Sequence, residues 1–272
     1  MDSLQPSAHD IWTNKYQVKD KLFNIIDKTP LDGFKRVAER LASCEKDSKK
    51  WEKEFIWAME NGAYPAGRIL SNAGAEQYKR SVSLINCTVS GIIDDDMESI
   101  MEKQKEAALT LKAGCGIGYN WSTLRPKGAF VHGAGASTSG PLSFMDIYNA
   151  MCFTISSAGG RRGAQMGCMS VTSPDVIDFI KAKREAGRLR QFNLSLLITD
   201  EFIEAVRNNE EWQFTWDNEP FGDPVKAADL WDLIMRSTYE YAEPGFLLID
   251  YINFMNNNWF CEEILATNPL TH

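Results

Sequence analysis

Closely spaced metal ligands are missing from this sequence. Its six cysteines are scattered with no C-x-x-C, the nearest pair being Cys152 and Cys168, and the three histidines are His9, His132 and His272. No metal site is expected from such spacing. A disulfide scaffold is not expected either, because 272 residues build a core without staples. Most of the cysteines read as small buried apolar residues. No apolar run approaches the roughly 18 residues of a membrane span. The start, Met1-Asp2-Ser3-Leu4-Gln5-Pro6, lacks the basic and then apolar pattern of a secretory signal. Positive charge is also in deficit: 29 Lys and Arg against 37 Asp and Glu leave a net charge of −8. That balance disfavours general binding to polymeric nucleic acid, so any anion must be held by a local arrangement. The expectation is a soluble, cytoplasmic protein without a membrane partner.

What is present suits a globular chain, with 44% hydrophobic and 24% charged residues, and excludes disorder. Residues 1–65 mix charged and apolar residues at helical spacing, as in Trp51-Glu52-Lys53-Glu54-Phe55-Ile56-Trp57, and Asn61-Gly62 supplies a helix stop. A passage with Gly, Pro and Ser follows over 65–74, then a short apolar run over 82–89. Asp94-Asp95-Asp96 heads a helix whose face is Met97, Ile100, Met101, Ala108 and Leu111, reaching about Lys112. Further helices are expected over 141–156, from Ser173-Pro174-Asp175, from Thr199-Asp200-Glu201 and over 227–241, with strands at 192–198 and 245–249. Strands alternating with helices argue an α/β fold.

Three segments are rich in glycine. Ala113-Gly114-Cys115-Gly116-Ile117-Gly118 lacks the G-x-G-x-x-G order of a dinucleotide loop. Gly135 and Gly140 have the outer spacing of a phosphate loop, but Pro141 stands where that loop needs its Lys. These two read as connections or as something more specific, and residue type alone leaves both open. Gly159-Gly160-Arg161-Arg162-Gly163-Ala164-Gln165-Met166 places two guanidiniums among glycines. It reads either as a mobile recognition loop for phosphate or base, or as a surface turn with solvated arginines.

Several strings then fit one family together and in order: Leu84-Ile85-Asn86-Cys87, the Ala113–Gly118 string, Leu124-Arg125-Pro126-Lys127-Gly128-Ala129, the Gly159–Met166 string and Ala266-Thr267-Asn268-Pro269. From about Asp10 to Pro269 the chain resembles the N-terminal part of a ribonucleotide reductase catalytic chain. The likeness is strongest to the class II type, which depends on adenosylcobalamin. The resemblance implies a helical region over 1–65, about the first half of a ten-stranded α/β barrel with its effector loops over 66–269, and a non-family tail over 270–272. It implies conversion of ribonucleotides to 2′-deoxyribonucleotides by a thiyl radical, with a pair of cysteines becoming a disulfide. No separate ATP-binding cone is recognised ahead of the helical region, so activity regulation through such a domain is not expected.

Residue by residue, the resemblance assigns Cys87 to the first member of the reducing pair and Asn268 to the active-site asparagine. Asp95 matches the aspartate that holds the sugar of a dNTP effector, with Asp94 as the alternative register and a plain helix cap as the bland reading. Residues 125–139 match the first specificity loop, with Arg125 and Lys127 as cations for a dNTP or ATP triphosphate. The second specificity loop would hold Gly159, Gly160, Arg161, Arg162 and Gln165, Arg162 being the key guanidinium. Cys115, Cys44, Cys152, Cys168 and Cys261 receive no reaction. Helices 97–112 and 141–156 match a pair that forms a homodimer contact, or else they pack within one chain. A thioredoxin-like reductant is the implied partner for the disulfide.

The sequence departs from the family at one point. Where the family string continues from Pro269 with the thiyl cysteine, this chain has Leu270, followed by Thr271 and His272. Leucine cannot carry a thiyl radical. An interrupted gene or a trimmed chain would each leave such a join, and the expectation is an inactive fragment until the C-terminal half is supplied. A class I large-chain fragment and a non-catalytic nucleotide-binding remnant remain the alternatives.

Overall fold

The computed structural model describes residues 5–78, 83–131, 133, 135–155 and 163–269. They form two compact units, one reaching Asn86 and the other starting at Cys87.

The first unit is helical: α1 (Pro6–Ile11), a π-helical turn (Trp12–Tyr16), α2 (Pro30–Ala42), α3 (Ser48–Glu60) and α4 (Gly67–Asn72). Helix α2 starts at a capping box. The Thr29 hydroxyl accepts the Asp32 N–H, the Asp32 carboxylate accepts the Thr29 N–H, and Pro30 fills the first turn. Val37, Ala38, Met59 and Ala73 form the core, with Ile69, Leu70 and Leu84 packed on it, so the helical unit extends past residue 65. Arg36 ties the unit together. Its guanidinium lies 2.9 Å from the Asp27 carboxylate and also donates to the carbonyls of Leu70 (3.0 Å) and Ala73.

The second unit runs β1 (Cys87–Val89), α5 (Met97–Lys112), β2 (Gly116–Asn120), β3 (Phe130–Val131), β4 (Ala136–Ser137), α6 (Pro141–Thr154), β5 (Gln165–Ser170), α7 (Val176–Lys181), β6 (Phe192–Ile198) and α8 (Asp200–Asn208). The short strands β7 (Glu211–Trp212), β8 (Thr215–Trp216), β9 (Glu219–Pro220) and β10 (Val225–Lys226) follow, then α9 (Ala227–Tyr241), β11 (Gly245–Leu248) and α10 (Ile249–Phe254). Five strands form one parallel sheet in the order β1-β2-β5-β6-β11. The order follows the chain, so the sheet is wound in one direction, and crossovers of one hand, the rule for parallel strands, put the helices on one face. The core agrees: Ile117, Tyr119, Phe192, Leu194 and Leu196 pack against Ile100 and Leu111 of α5, Met145 and Tyr148 of α6, Phe179 of α7, Phe202 of α8 and Ile234 of α9. A helical region followed by a parallel α/β sheet, part of a barrel, is the fold class expected from the sequence.

Local signals account for the helix starts. Asp96 caps α5 by accepting the Ser99 N–H at 2.8 Å, and Thr199 caps α8 through the Phe202 N–H. Gly140 reaches φ +83° ahead of Pro141, a conformation that favours glycine. Strands β2 and the start of β5 fall in the glycine-rich strings, whose composition does not announce a strand. Among the described residues, no helix is long and apolar enough to cross a membrane.

Asp27 is 2% exposed. Arg36→Ala should therefore leave a buried charge unpaired and cost about 3–5 kcal/mol in a urea melt of the helical unit. A loss below about 1 kcal/mol would mean that solvent screens the pair.

Candidate functional site

The sheet face turned away from the helices carries a second, smaller core, in which Met166 and Cys168 of β5 and Leu197 of β6 pack with Ala266. The chain beyond α10 returns to this face as an extended segment, and bare backbone on β2 admits it. A Cβ on Gly118 would overlap the Thr267 carbonyl oxygen and stand 3.2 Å from the Asn268 Cα. A Cβ on Gly116 would meet the Cys87 Sγ at 2.8 Å, the Pro269 Cγ at 3.0 Å and the Ala164 carbonyl at 3.2 Å. Glycine at these strand positions thus permits a close approach of one backbone to another.

Polar side chains flank the crossing. Asn120 Nδ2 donates to the Leu265 carbonyl at 3.0 Å, and Asn193 Nδ2 points at the Pro269 carbonyl from 3.5 Å. Cys168 Sγ and Thr267 Oγ1 are 3.9 Å apart. The structure therefore brings Cys87 and the Thr267–Pro269 segment to one surface, although they lie far apart in sequence. Cys87 is half-buried, paired in register with Gly116 at the edge of the sheet. Cys168 is fully buried, and burial pushes its thiol pKa up, which keeps it protonated and poorly nucleophilic. Cys44 and Cys261 are exposed rather than buried. Among the described residues, no group of three or more His, Cys, Asp or Glu side chains is placed to hold a metal ion.

The effector candidates gather elsewhere in the unit. Of the three aspartates before α5, Asp96 is the cap, while Asp94 exchanges hydrogen bonds with Ser99. Asp95 instead binds Arg125. Its Oδ1 accepts the Arg125 N–H at 2.9 Å, its Oδ2 accepts Nε–H at 2.7 Å, and its carbonyl accepts Nη2–H at 3.3 Å. Arg125 Nη1 also donates to the Phe130 carbonyl at the base of the β3–β4 ladder. Lys127 extends its ammonium to within 3.5 Å of Asp178, and its N–H reaches the Asp175 carboxylate at 3.1 Å. Both cations thus have carboxylate partners within the chain.

Gln165 does not belong with a recognition loop. It is fully buried as the first residue of β5, where its Oε1 accepts the Tyr119 hydroxyl at 3.0 Å and its Nε2 donates to the Tyr148 carbonyl at 3.2 Å. Strand alternation turns it toward the helices, away from the Cys87 face. Gly159, Gly160, Arg161, Arg162 and Leu270 lie outside the described residues. Sequence reasoning misses Asn120 and Asn193; the only sign of Asn120 is its place in period with Gly116 and Gly118.

Asp175 is a buried carboxylate at the start of α7. Burial raises its pKa; the Lys127 N–H lowers it and Asp178 raises it further. A carboxyl whose folded pKa is raised binds its proton more tightly folded than unfolded, so it contributes less stability as pH rises from the ordinary carboxylate range through its folded value. Asp175→Asn keeps an acceptor for Lys127. The melting temperature of the variant relative to the parent should increase from acid to neutral pH; a difference that stays flat or shrinks would contradict the assignment. On the opposite face of the sheet, Gly118→Ala should cost about 1–3 kcal/mol by overpacking. Gly133→Ala, where a Cβ meets nothing within 4 Å among the described residues, should cost little. Equal losses in urea melts of the two variants would show that residues 267–268 do not press on β2.

Comparison with known proteins agrees with this architecture. Residues 2–78 match the family model of the ribonucleotide reductase all-alpha domain, and residues 85–271 match that of the ribonucleotide reductase barrel domain. A relative from Mycobacterium tuberculosis (strain CDC 1551 / Oshkosh), a vitamin B12-dependent ribonucleoside-diphosphate reductase, is 35% identical over 82% of this chain and 32% of its own length. The protein of that name from Thermoplasma acidophilum is 33% identical over 75% of this chain and 26% of its own. The ribonucleoside-diphosphate reductase subunit alpha of Helicobacter pylori (strain ATCC 700392 / 26695) is 26% identical over 95% of this chain and 36% of its own. The chain spans about a third of the length of these relatives. With both family domains matched in order, the chain belongs to the ribonucleotide reductase family, as part of the large catalytic chain.

Proposed function

We propose that this chain supplies the helical region and the first barrel half of a reductase that converts ribonucleotides to 2′-deoxyribonucleotides. The observation that carries the reading is the meeting of Cys87 with the Thr267–Pro269 segment at Gly116 and Gly118. In the overall reaction the ribose loses its 2′ oxygen as water, and two thiols supply the two electrons and two protons, becoming a disulfide. Cys87 is the first of those thiols, and the second comes from outside the 272 residues. Asn268, whose Cα approaches Gly118 on the same face of the sheet, orients the substrate. A thioredoxin-like dithiol restores the pair. The names of the relatives favour ribonucleoside diphosphates as substrates.

Those names also favour adenosylcobalamin as cofactor, since the vitamin B12-dependent relatives share more identity with this chain than the Helicobacter pylori subunit does. When bound, that cofactor supplies a radical, which a thiol must receive. The family places this thiol at position 270, and here the residue is Leu270. The chain's own residues therefore do not complete the receiver. The class I reading, with the radical from a metal-bearing partner subunit, would need the same missing thiol.

Specificity regulation by a dNTP or ATP is part of the proposal. Asp95, Arg125 and Lys127 stand at its site, with Arg161 and Arg162 on the second loop. The Asp95–Arg125 pair must then open or rearrange for a nucleotide to enter. Met97, Met101 and Leu109 on α5 and Ile147 and Phe153 on α6 are exposed apolar side chains suited to a homodimer seam.

The chain alone should form no deoxyribonucleotide with adenosylcobalamin and a dithiol, and measurable product would contradict the role given to position 270. Combined with the remaining barrel of a B12-dependent relative and carrying Leu270→Cys, it should turn over with a dithiol. Cys87→Ser in that complete enzyme should abolish dithiol-driven turnover, and retained turnover would remove Cys87 from the reducing pair.

A further inference from the structure

Between α10 and the segment on the sheet the chain makes an excursion over residues 255–263. A slip of one residue there would move Thr267 and Pro269 off the two glycines that admit them. Asn253, near the end of α10, closes the excursion at its base. Its Oδ1 accepts the Ile264 N–H at 2.7 Å, and its Nδ2 donates to the Ile264 carbonyl at 3.0 Å. The same Nδ2 reaches the Ile249 carbonyl, one helical turn back, at 3.2 Å. One side-chain amide thus reproduces both halves of a backbone bridge to a residue far along the chain. The excursion is braced internally: Asn256 Oδ1 accepts the Asn258 N–H at 2.9 Å, and Asn258 Nδ2 donates to Glu262 at 3.0 Å. Leu265, the next residue after Ile264, is held by Asn120 of β2.

We propose that Asn253 is a positioning residue that sets the register in which residues 265–269 cross the inner face of the sheet. Ile264 is fixed to α10 and Leu265 to β2, so Ala266 enters the small core over Cys168, and Thr267 and Pro269 land on Gly118 and Gly116 beside Cys87. A brace that served only the end of α10 would need the bond to Ile249 and not the pair to Ile264. The consequence for catalysis rests on the reductase reading, whereas the register itself does not.

Two buried thiols separate the outcomes in the chain as it stands. Cys168 lies beneath Ala266 and Thr267 on the inner face, while Cys152 of α6 is buried among the helices on the other. Alkylation followed residue by residue by mass spectrometry reports each. Asn253→Leu removes all three part-buried hydrogen bonds of the amide and should raise the labelling rate of Cys168 about tenfold or more, with Cys152 unchanged. Asn253→Asp keeps the acceptor for the Ile264 N–H and should fall between parent and Asn253→Leu. Cys168 labelling at the parent rate in Asn253→Leu would overturn the proposal. So would parallel acceleration of Cys168 and Cys152 in both variants, which would mark Asn253 as a general stabiliser. Because the readout needs no nucleotide, failure here leaves the reductase reading to its own turnover test.

Discussion

A methyl group at position 118 has no room. It would overlap the Thr267 carbonyl, and one at position 116 would crowd Cys87 and Pro269 together. The site depends on that constraint. Two residues without side chains, two apart on one strand, face the same way and leave a trough of bare backbone. The returning segment fills the trough, and Cys87 lies at its edge on the neighbouring strand. The single-direction winding of the sheet makes this possible, because it gathers the helices on one face and leaves the other to the segment.

The two faces of the sheet do different physical work. The helix side is packed with large side chains: Tyr119, Trp121, Tyr148 and Phe192 contact one another with ring centroids 5.0 to 6.3 Å apart. Gln165 joins that layer through hydrogen bonds to Tyr119 and Tyr148, which satisfy a fully buried amide. The inner side is sparser and more polar, with Asn120, Asn193 and two thiols along the crossing. Rigidity on one face and fitted contacts on the other are what a site needs if a thiol and a loop are to keep a fixed relation.

Much of the scaffold is legible in the sequence because its signals are local. Asp94-Asp95-Asp96 announces α5, alternation marks β6 over its observed span, and α9 occupies its expected 227–241. The start of α7 is less direct: Asp175 gives no side-chain cap and turns its carboxylate to the Lys127 N–H. Strand β2 is hidden because glycine disfavours strands, and its glycines answer to a segment about 150 residues away, which no local pattern reports. Asp95 is legible as a charged residue before a helix, yet its partner Arg125 comes from a distant loop. Gln165 misleads because its loop-like neighbours suggest exposure, whereas strand alternation buries it.

Residues 267–269 lie on β2 against Cys87, and thiol trapping tests this contact most directly. Cys87 Sγ and Pro269 Cγ both lie within 3.0 Å of the point a Cβ on Gly116 would occupy. In the chain carrying Pro269→Cys, mild oxidation should join Cys87 to the introduced thiol faster than to the exposed Cys261, as peptide mapping would show. Cys87 left free, or paired as readily with Cys261, would contradict the account.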